Sequence, residues 1–521
     1  MKTLTSTNIG GWSAALGCAL TLLFASGLSA ATPSVVADVA GGARVADAAM
    51  HQDIAAVRSL VTTQHADVNS AQADGSTALL WAAHNDDREM AAFLIGHGAT
   101  VGTANHYGIT ALALAAGEGS APMVDLLLKA GADAKAATPA GETMLMMAAR
   151  SGNPAVVKAL LDHGADANAK ENWEQETALM YAAAENHPEV IRLLVAHDAD
   201  VNARSRATDA KAPRPRWPQN FGLHINNAGL TPLLFAARQG ATESVRVLVE
   251  NNANPDLGDP AGITPMIMAI MNAQYDTAAA LLKLGADPNA SDSTGRSPLF
   301  SAVDMHKLEW LFSRPTPKPA GKMDSADMVK LLLERGANPN QRLRARATSF
   351  QHDTPTNANF IAGATPFLKA ASASDAAMMR LLIEHGADPN LANNDGTTPL
   401  MAAAGLNWRD ISSVGAQSET IEAIQVCLEH GADVNAVNRN GETPMHGAAQ
   451  RGAESVVTFL ASKGARLDAK NKEGRTPMDE ALGEAGELAD GAARRPERVE
   501  TVAVLRKLLG QGGAQASGGG Q

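Results

Sequence analysis

Aromatic side chains are scarce in this 521-residue chain, where phenylalanine, tryptophan and tyrosine together make up 4%. Hydrophobic residues still reach 45%. A deep globular core draws heavily on bulky rings, so the shortage points instead to thin layers of small and aliphatic side chains. Cysteine is scarcer still, with only Cys18 and Cys427. Basic residues are in deficit, 43 Lys and Arg against 55 Asp and Glu, for a net charge of −12. That balance argues against a general nucleic-acid binder, which needs a basic footprint. No HExxH, CxxC pair, GxSxG elbow or phosphate-cradling glycine loop occurs, and Gly117-Glu118-Gly119 reads as a turn between helices. The expectation is therefore a non-catalytic chain with no catalytic residues, no metal site and no cofactor.

Long apolar runs are absent except at the start. Lys2 precedes the nearly uninterrupted apolar and small stretch Trp12 to Leu28, and SGLSAATP supplies small residues for cleavage near Ala30 or Ala31. Residues 1–31 read as a secretory signal peptide. The alternatives are an uncleaved anchor, since the run approaches the lower limit for a span, or a lipoprotein signal at the poor lipobox Ala15-Leu16-Gly17-Cys18. Removal of the leader takes away Cys18 and leaves Cys427, so no intrachain disulfide can form even in an oxidising compartment. Cys427 stands where Leu382 stands one period earlier, which predicts a buried and inert thiol.

What the chain has in abundance is one phrase. Thr231 to Gly262, TPLLFAARQGATESVRVLVENNANPDLGDPAG, opens on a threonine placed to cap a helix and a proline at the first helical position. Ala236 and Ala237 keep one face thin, a second apolar run follows at Val245, Val247, Leu248 and Val249, and a segment rich in turn formers carries the chain onward. The same opening recurs at Thr77, Thr110, Thr143, Thr177, Thr264, Ser297, Thr365, Thr398, Thr443 and Thr476, most often at an interval of 33 residues. A fixed period of that length means stacked repeats in one quasi-one-dimensional body.

These units resemble ankyrin repeats, most fully in TPMHGAAQRGAESVVTFLASKGARLDAKNKEG from Thr443 to Gly474. The resemblance spans roughly residues 44 to 510 and implies an all-α repeat solenoid of about 12 helix-turn-helix units with β-hairpin fingers. It departs from the family in the histidine of the fourth place, which survives only as His446. Elsewhere that place holds Leu80, Met146, Met180, Leu234, Ile267, Phe300, Leu368 or Met401, so apolar packing must replace polar bracing. Residues 44–75 lack the Thr-Pro opening and carry Arg44 and Asp47 where later units are apolar, as an N-terminal cap requires. Residues 476–510 form the opposite cap, and the tail 511–521 is expected to be disordered. Second helices often end on a His-Gly pair, as at His97, His163, His385 and His430. Histidine suits the negative end of the helix dipole and glycine its stop, while the spacing between units is too wide for shared metal ligation.

The array breaks its period in four places, about 204–228, 309–323, 341–363 and 405–418. The first and third enlarge fingers on one edge of the array. The first, RSRATDAKAPRPRWPQNFGLHINNA, sets five basic residues against Asp209 alone. Arg204, Arg206, Arg214, Arg216, Trp217 and Phe221, and in the third insertion Arg342, Arg344 and Arg346, are candidate partner contacts, because their charge opposes that of the body. The other two insertions lie between paired helices, on the opposite edge. A second candidate surface is the hollow that the family pattern implies, lined by Trp81, Tyr107, Met147, Trp173, Tyr181 and Phe235, since amphipathic aromatics are common interface anchors. LMYAAAENHPEVIRLL and TTPLMAAAGLNW resemble phrases of long ankyrin arrays that bacteria export. That likeness implies a periplasmic, secreted or cell-surface protein-binding scaffold, monomeric, binding no nucleic acid and without a membrane span once the leader is gone. The alternatives are an accessory subunit stabilising an exported, redox-type enzyme and a binder of an acidic envelope polymer.

Overall fold

The computed structural model describes residues 43–206, 229–307, 318–345, 362–406, 417–487, 493–495 and 498–516. The leader expected at 1–31, and Arg214, Arg216, Trp217, Phe221 and Arg346, lie outside them. The described residues hold 24 helices, paired into twelve units along the chain. Unit 1 pairs Arg44–Met50 with Ile54–Thr62, unit 4 pairs Met144–Ser151 with Pro154–Asp162, and unit 5 pairs Ala178–Ala184 with Pro188–Ala196. Unit 6 pairs Pro232–Gln239 with Thr242–Glu250, and unit 7 pairs Pro265–Met271 with Tyr275–Lys283. Unit 8 pairs Pro298–His306 with Ser325–Glu334, and unit 9 pairs Pro366–Ser372 with Ala376–Glu384. Unit 12 closes the array with Pro477–Leu482 and Val499–Ala516. First helices pack on first helices of adjoining units and on their own second helices, the two-layer stack that the period predicts.

Each first helix starts as its sequence dictates. Thr77, Thr110, Thr231, Thr264, Ser297, Thr365 and Thr398 hold extended backbone and accept the N–H three residues on through their hydroxyls. The paired alanines are buried, with Ala115, Ala116, Ala236 and Ala237 all at 0% exposure. One apolar cluster runs unbroken from Val45 to Leu505. In unit 1, Arg44 and Asp47 are exposed while Val45 and Ala49 are buried. At His446 the family bracing is present: Nδ1 lies 2.8 Å from the Thr443 hydroxyl and accepts its N–H, and Nε2 meets the Arg475 carbonyl.

Polar seams tie unit to unit. Along the exit of the second helices, Asn69 donates to Gly98 O and accepts Thr100 N–H, and the motif recurs from Asn168 to Asp198 and Asp200 and from Asn435 to Gly464 and Arg466. It crosses the insertions unchanged, with Asn202 reaching Asn254 N–H and Asn340 reaching Gly386 O and Asp388 N–H. A second seam joins the fingers by backbone bonds such as His106 N–H to Asp74 O and Asn172 N–H to Ala140 O. Pro139 and Pro260 have no N–H to donate there. At those two joints, Gly108 and Gly229 instead hold φ of 78° and 70° and pack directly on the proline rings.

The finger hairpins are short: among the described residues their strand-like pairings are the isolated antiparallel bridges Ala104–Thr110 and Ala137–Thr143. Backbone bonds close the turns, as Asp259 N–H to Ile263 O and Gly262 N–H to Asp259 O, and a side chain reinforces them, as where Asp259 Oδ1 accepts Ala261 N–H and Ile263 N–H, or Asn393 accepts Asp395 N–H and Thr397 N–H. The one small antiparallel pair, Glu484–Glu487 with Ala493–Arg495, lies in the last unit. The final helix also continues to Ala516, into the tail expected to be disordered. It is anchored by buried Val502 and Leu505, and adding a residue to an existing helix costs far less than starting one.

Candidate partner-binding surface

The residue four places after each opening Thr or Ser changes character along the array. In the early units it is half-buried Trp81, half-buried Leu114, Met147 at 8% exposure and half-buried Tyr181. From unit 6 onward it is buried: Phe235 5%, Met268 1%, Ser301 1%, Lys369 9%, Ala402 3% and Glu480 6%. Met147 and Phe235, expected at the hollow, therefore serve as packing. Trp81 is held in place, its indole N–H donating to Gln72 Oε1 at 2.8 Å and its ring set edge-on to His84. Finger-tip Tyr107 and Trp173 are the opposite case, 60% and 75% exposed. Gly108, beside Tyr107, packs on Pro139, and Ala140 O accepts the N–H of Asn172, beside Trp173. The two aromatic tips thus flank the smaller Pro139-Ala140 tip of unit 3.

A line of alternating charges and rings underlies them. Arg150 Nη2 lies 2.9 Å from Glu142 Oε1, and the Arg150 guanidinium sits 4.5 Å from the Tyr181 ring centre. Tyr181 hydrogen-bonds Glu176, which attracts Arg238, whose guanidinium lies 5.0 Å from the Phe235 ring centre. Burial raises the Glu176 carboxyl above its ordinary value, against the pull of Tyr181, and burial likewise raises the Tyr181 hydroxyl. The sequence reading missed this line, although its signal was present: a glutamate directly before Thr143 and Thr177, and an arginine seven places after Thr143 and Thr231.

The enlarged fingers keep the closure of ordinary ones. Ser205 N–H donates to Leu230 O and Gly229 N–H to Arg206 O, while Leu343 N–H donates to Ala364 O and Gly363 N–H to Leu343 O. The extra residues therefore leave from the tips, above intact necks. Those necks engage four of the arginines expected to meet a partner. Arg204 donates to Gly229 O at 2.7 Å and to Gly258 O at 2.8 Å, and Arg342 repeats the arrangement with Gly363 O and Ala392 O. Arg206 donates to Asn172 O and Arg344 to Ser291 Oγ. Arg204 and Arg342 thereby clamp each neck to the next finger.

Nothing described forms reactive chemistry. Cys427 is buried at 0% exposure, and burial pushes its thiol up to about 12. The helix-end histidines donate from Nδ1 to carbonyls one turn back, His97 to Phe93 O, His163 to Ala159 O and His385 to Leu381 O. Among the described residues no group of His, Cys, Asp and Glu could hold a metal ion, and no helix is long and apolar enough to cross a membrane.

Comparison with family models matches ankyrin repeats over residues 45–138, 131–205, 218–292 and 320–413, with further ankyrin matches at 294–343 and 414–461. These matches cover most of the chain, which belongs to the ankyrin-repeat family and is an all-α repeat solenoid built to bind protein partners. No curated protein matches the chain.

Proposed function

We propose that this chain is an exported, non-catalytic scaffold that holds a protein partner on its N-terminal half, through the finger tips and the hollow beside them. The observation that carries this reading is the placement of the exposed large apolar side chains. Among the described residues, Tyr107, Trp173 and Val437 stand on fingers, and the other three, Leu482, Val499 and Leu509, belong to the last unit. Large amphipathic rings left in water on tips one finger apart resemble the anchors that dominate protein interfaces. Trp81 and Tyr181, already oriented by Gln72 and Glu176, would meet the partner with little further ordering cost.

Export rests on the leader pattern of residues 1–31 and makes the partner an envelope or extracellular protein. An accessory role toward an exported enzyme is a special case of the same surface. Binding of an acidic polymer through the fingers is less favoured, because Arg204, Arg206, Arg342 and Arg344 already donate to neighbouring fingers. The test is crosslinking of the tagged full-length chain in its native envelope, with mass spectrometry of both the crosslinks and the mature N-terminus. One protein crosslinked near Tyr107 and Trp173, with an N-terminus close to Ala31, supports the reading. Retention on polysaccharide without a crosslinked protein, or an intact cytosolic chain, contradicts it.

A further inference from the structure

The finger of unit 4 is longer than an ordinary one by a single residue. Thr143 and Thr177 stand one residue further apart than the usual 33, and the extra residue falls after Asp166. Ordinary turns are reinforced by an aspartate or asparagine whose Oδ1 accepts the N–H groups two and four residues on, as at Asn105, Asp259 and Asn393. In unit 4 that place holds Glu171, one methylene longer and buried at 7% exposure. Its carboxylate accepts Trp173 N–H at one oxygen, and at the other Glu174 N–H at 2.7 Å and Glu176 N–H at 2.9 Å. Glu171 N–H reaches Glu176 O, five residues on, where Asp259 N–H reaches Ile263 O, four residues on. Gln175 absorbs the added length: its φ of 57° is left-handed without being glycine, and its side-chain amide donates to Glu171 O.

The neighbouring fingers hold the same tip from both sides. Asn172 N–H donates to Ala140 O and its Nδ2 to Pro139 O, both in unit 3. From unit 5, Arg206 N–H donates to Glu174 O and the Arg206 guanidinium to Asn172 O. What this fastened turn leaves free is the Trp173 indole, 75% exposed and the most exposed large apolar side chain among the described residues. A buried carboxylate is costly unless hydrogen bonds satisfy it. The longer turn supplies three N–H groups that do so, and the ring rides on that turn.

We propose that Glu171 is a positioning residue, which holds the unit 4 tip in one conformation so that Trp173 enters an apolar recess of a folded partner with its turn already ordered. The proposal rests on the reading of this chain as a protein-binding scaffold, and it adds the shape of the partner. A ring projecting from a narrow, fixed tip is a knob and fits a recess. An extended segment lying in the hollow would meet Trp81 and Tyr181 instead. Asn172 and Glu174, on either side of the ring, supply the polar rim of such a contact.

The test reads order and binding separately on the full chain. Hydrogen exchange by mass spectrometry should show protection in the peptide 170–177 of the wild type with no partner present. Glu171→Gln keeps the shape but turns one acceptor oxygen into a donor, and exchange there should rise about tenfold, the worth of a hydrogen bond to a charged group. Glu171→Ala removes every side-chain bond of the turn and should raise it further. Peptides from Met144–Ser151 and Pro188–Ala196 should be unaffected in both. Capture of the protein that crosslinks beside Trp173 should fall about threefold or more in both variants although the ring is intact, because the turn must then be ordered on binding. A tip that exchanges freely in the wild type, exchange unchanged in both variants, or full capture by a variant whose tip has lost protection would overturn the proposal. Capture undiminished in Trp173→Ala would instead remove the scaffold reading on which the proposal rests, even where the exchange results agree.

Discussion

A single asparagine or glycine decides how each unit meets the next. Gly108 holds φ of 78°, and a Cβ there would overlap the Pro139 ring, so Gly108→Ala combines backbone strain with a clash. It should cost about 1–3 kcal/mol, read as a lower urea midpoint. Gly98, with φ of 90° but open space around it, should suffer from strain alone and lose less. Glu176 gives a pH-dependent test. Its folded value is raised mainly by burial, so the folded state holds this proton more tightly than the unfolded state does. The resulting stabilisation is complete below the ordinary carboxylate range and is lost as pH rises through the raised value. Glu176→Gln mimics the protonated form. The variant should match the wild type at acid pH and gain on it progressively as pH rises toward neutral in urea titrations; a wild type that gains instead would contradict this account. The tip glycines could be read in the sequence from the turn chemistry around them. The Glu176 environment was missed although its residues recur in the repeat, because it joins Tyr181 and Arg238 from two different helices.

At the scale of the element, the repeated phrase makes first helices nearly self-specifying. Thr231 caps Pro232–Gln239 through its hydroxyl, and Thr231→Ala should cost about 1 kcal/mol. Thr177 makes no such bond, so Thr177→Ala should cost measurably less, and equal losses in the two variants would show that the hydroxyl is not the cap. Helix pairing, their order and the inert Cys427 were legible because apolar period and capping residues act locally. The fingers were less so. Their length was plain, but the reinforcement of each turn by Asp259, Asn393 and their equivalents was not, because residue type alone does not say which N–H groups a side chain reaches. The structural role of the arginines was hidden for a related reason. Arg204 and Arg342 look like free charges in sequence, yet each has two carbonyls within reach once neighbouring fingers stack. Arg204→Ala should therefore lower the stability of the units 5 and 6 fingers, seen as faster local exchange, whether or not a partner is present.

At the scale of the whole molecule, the described residues build a continuous apolar cluster from Val45 to Leu505, bury most of their large apolar side chains, and leave two aromatic rings, Tyr107 and Trp173, in water on nearby finger tips. Sequence identified those rings, at finger tips, as candidates together with Met147 and Phe235 on first helices, and could not separate the exposed from the packed, since burial depends on how the neighbouring units stack. Exposure makes the separation and concentrates the proposed surface on units 2–5. The most direct measurement is partner capture by the full chain carrying Tyr107→Ala and Trp173→Ala together, beside Val437→Ala as a control on a distant finger. Side chains this exposed should leave the fold intact, which circular dichroism and the urea midpoint would verify. The account predicts that capture falls at least about tenfold in the double variant, the size expected for loss of interface anchors, and stays near wild type in Val437→Ala. Capture undiminished by loss of both rings would contradict the claim that the N-terminal finger tips are where this scaffold takes hold of its partner.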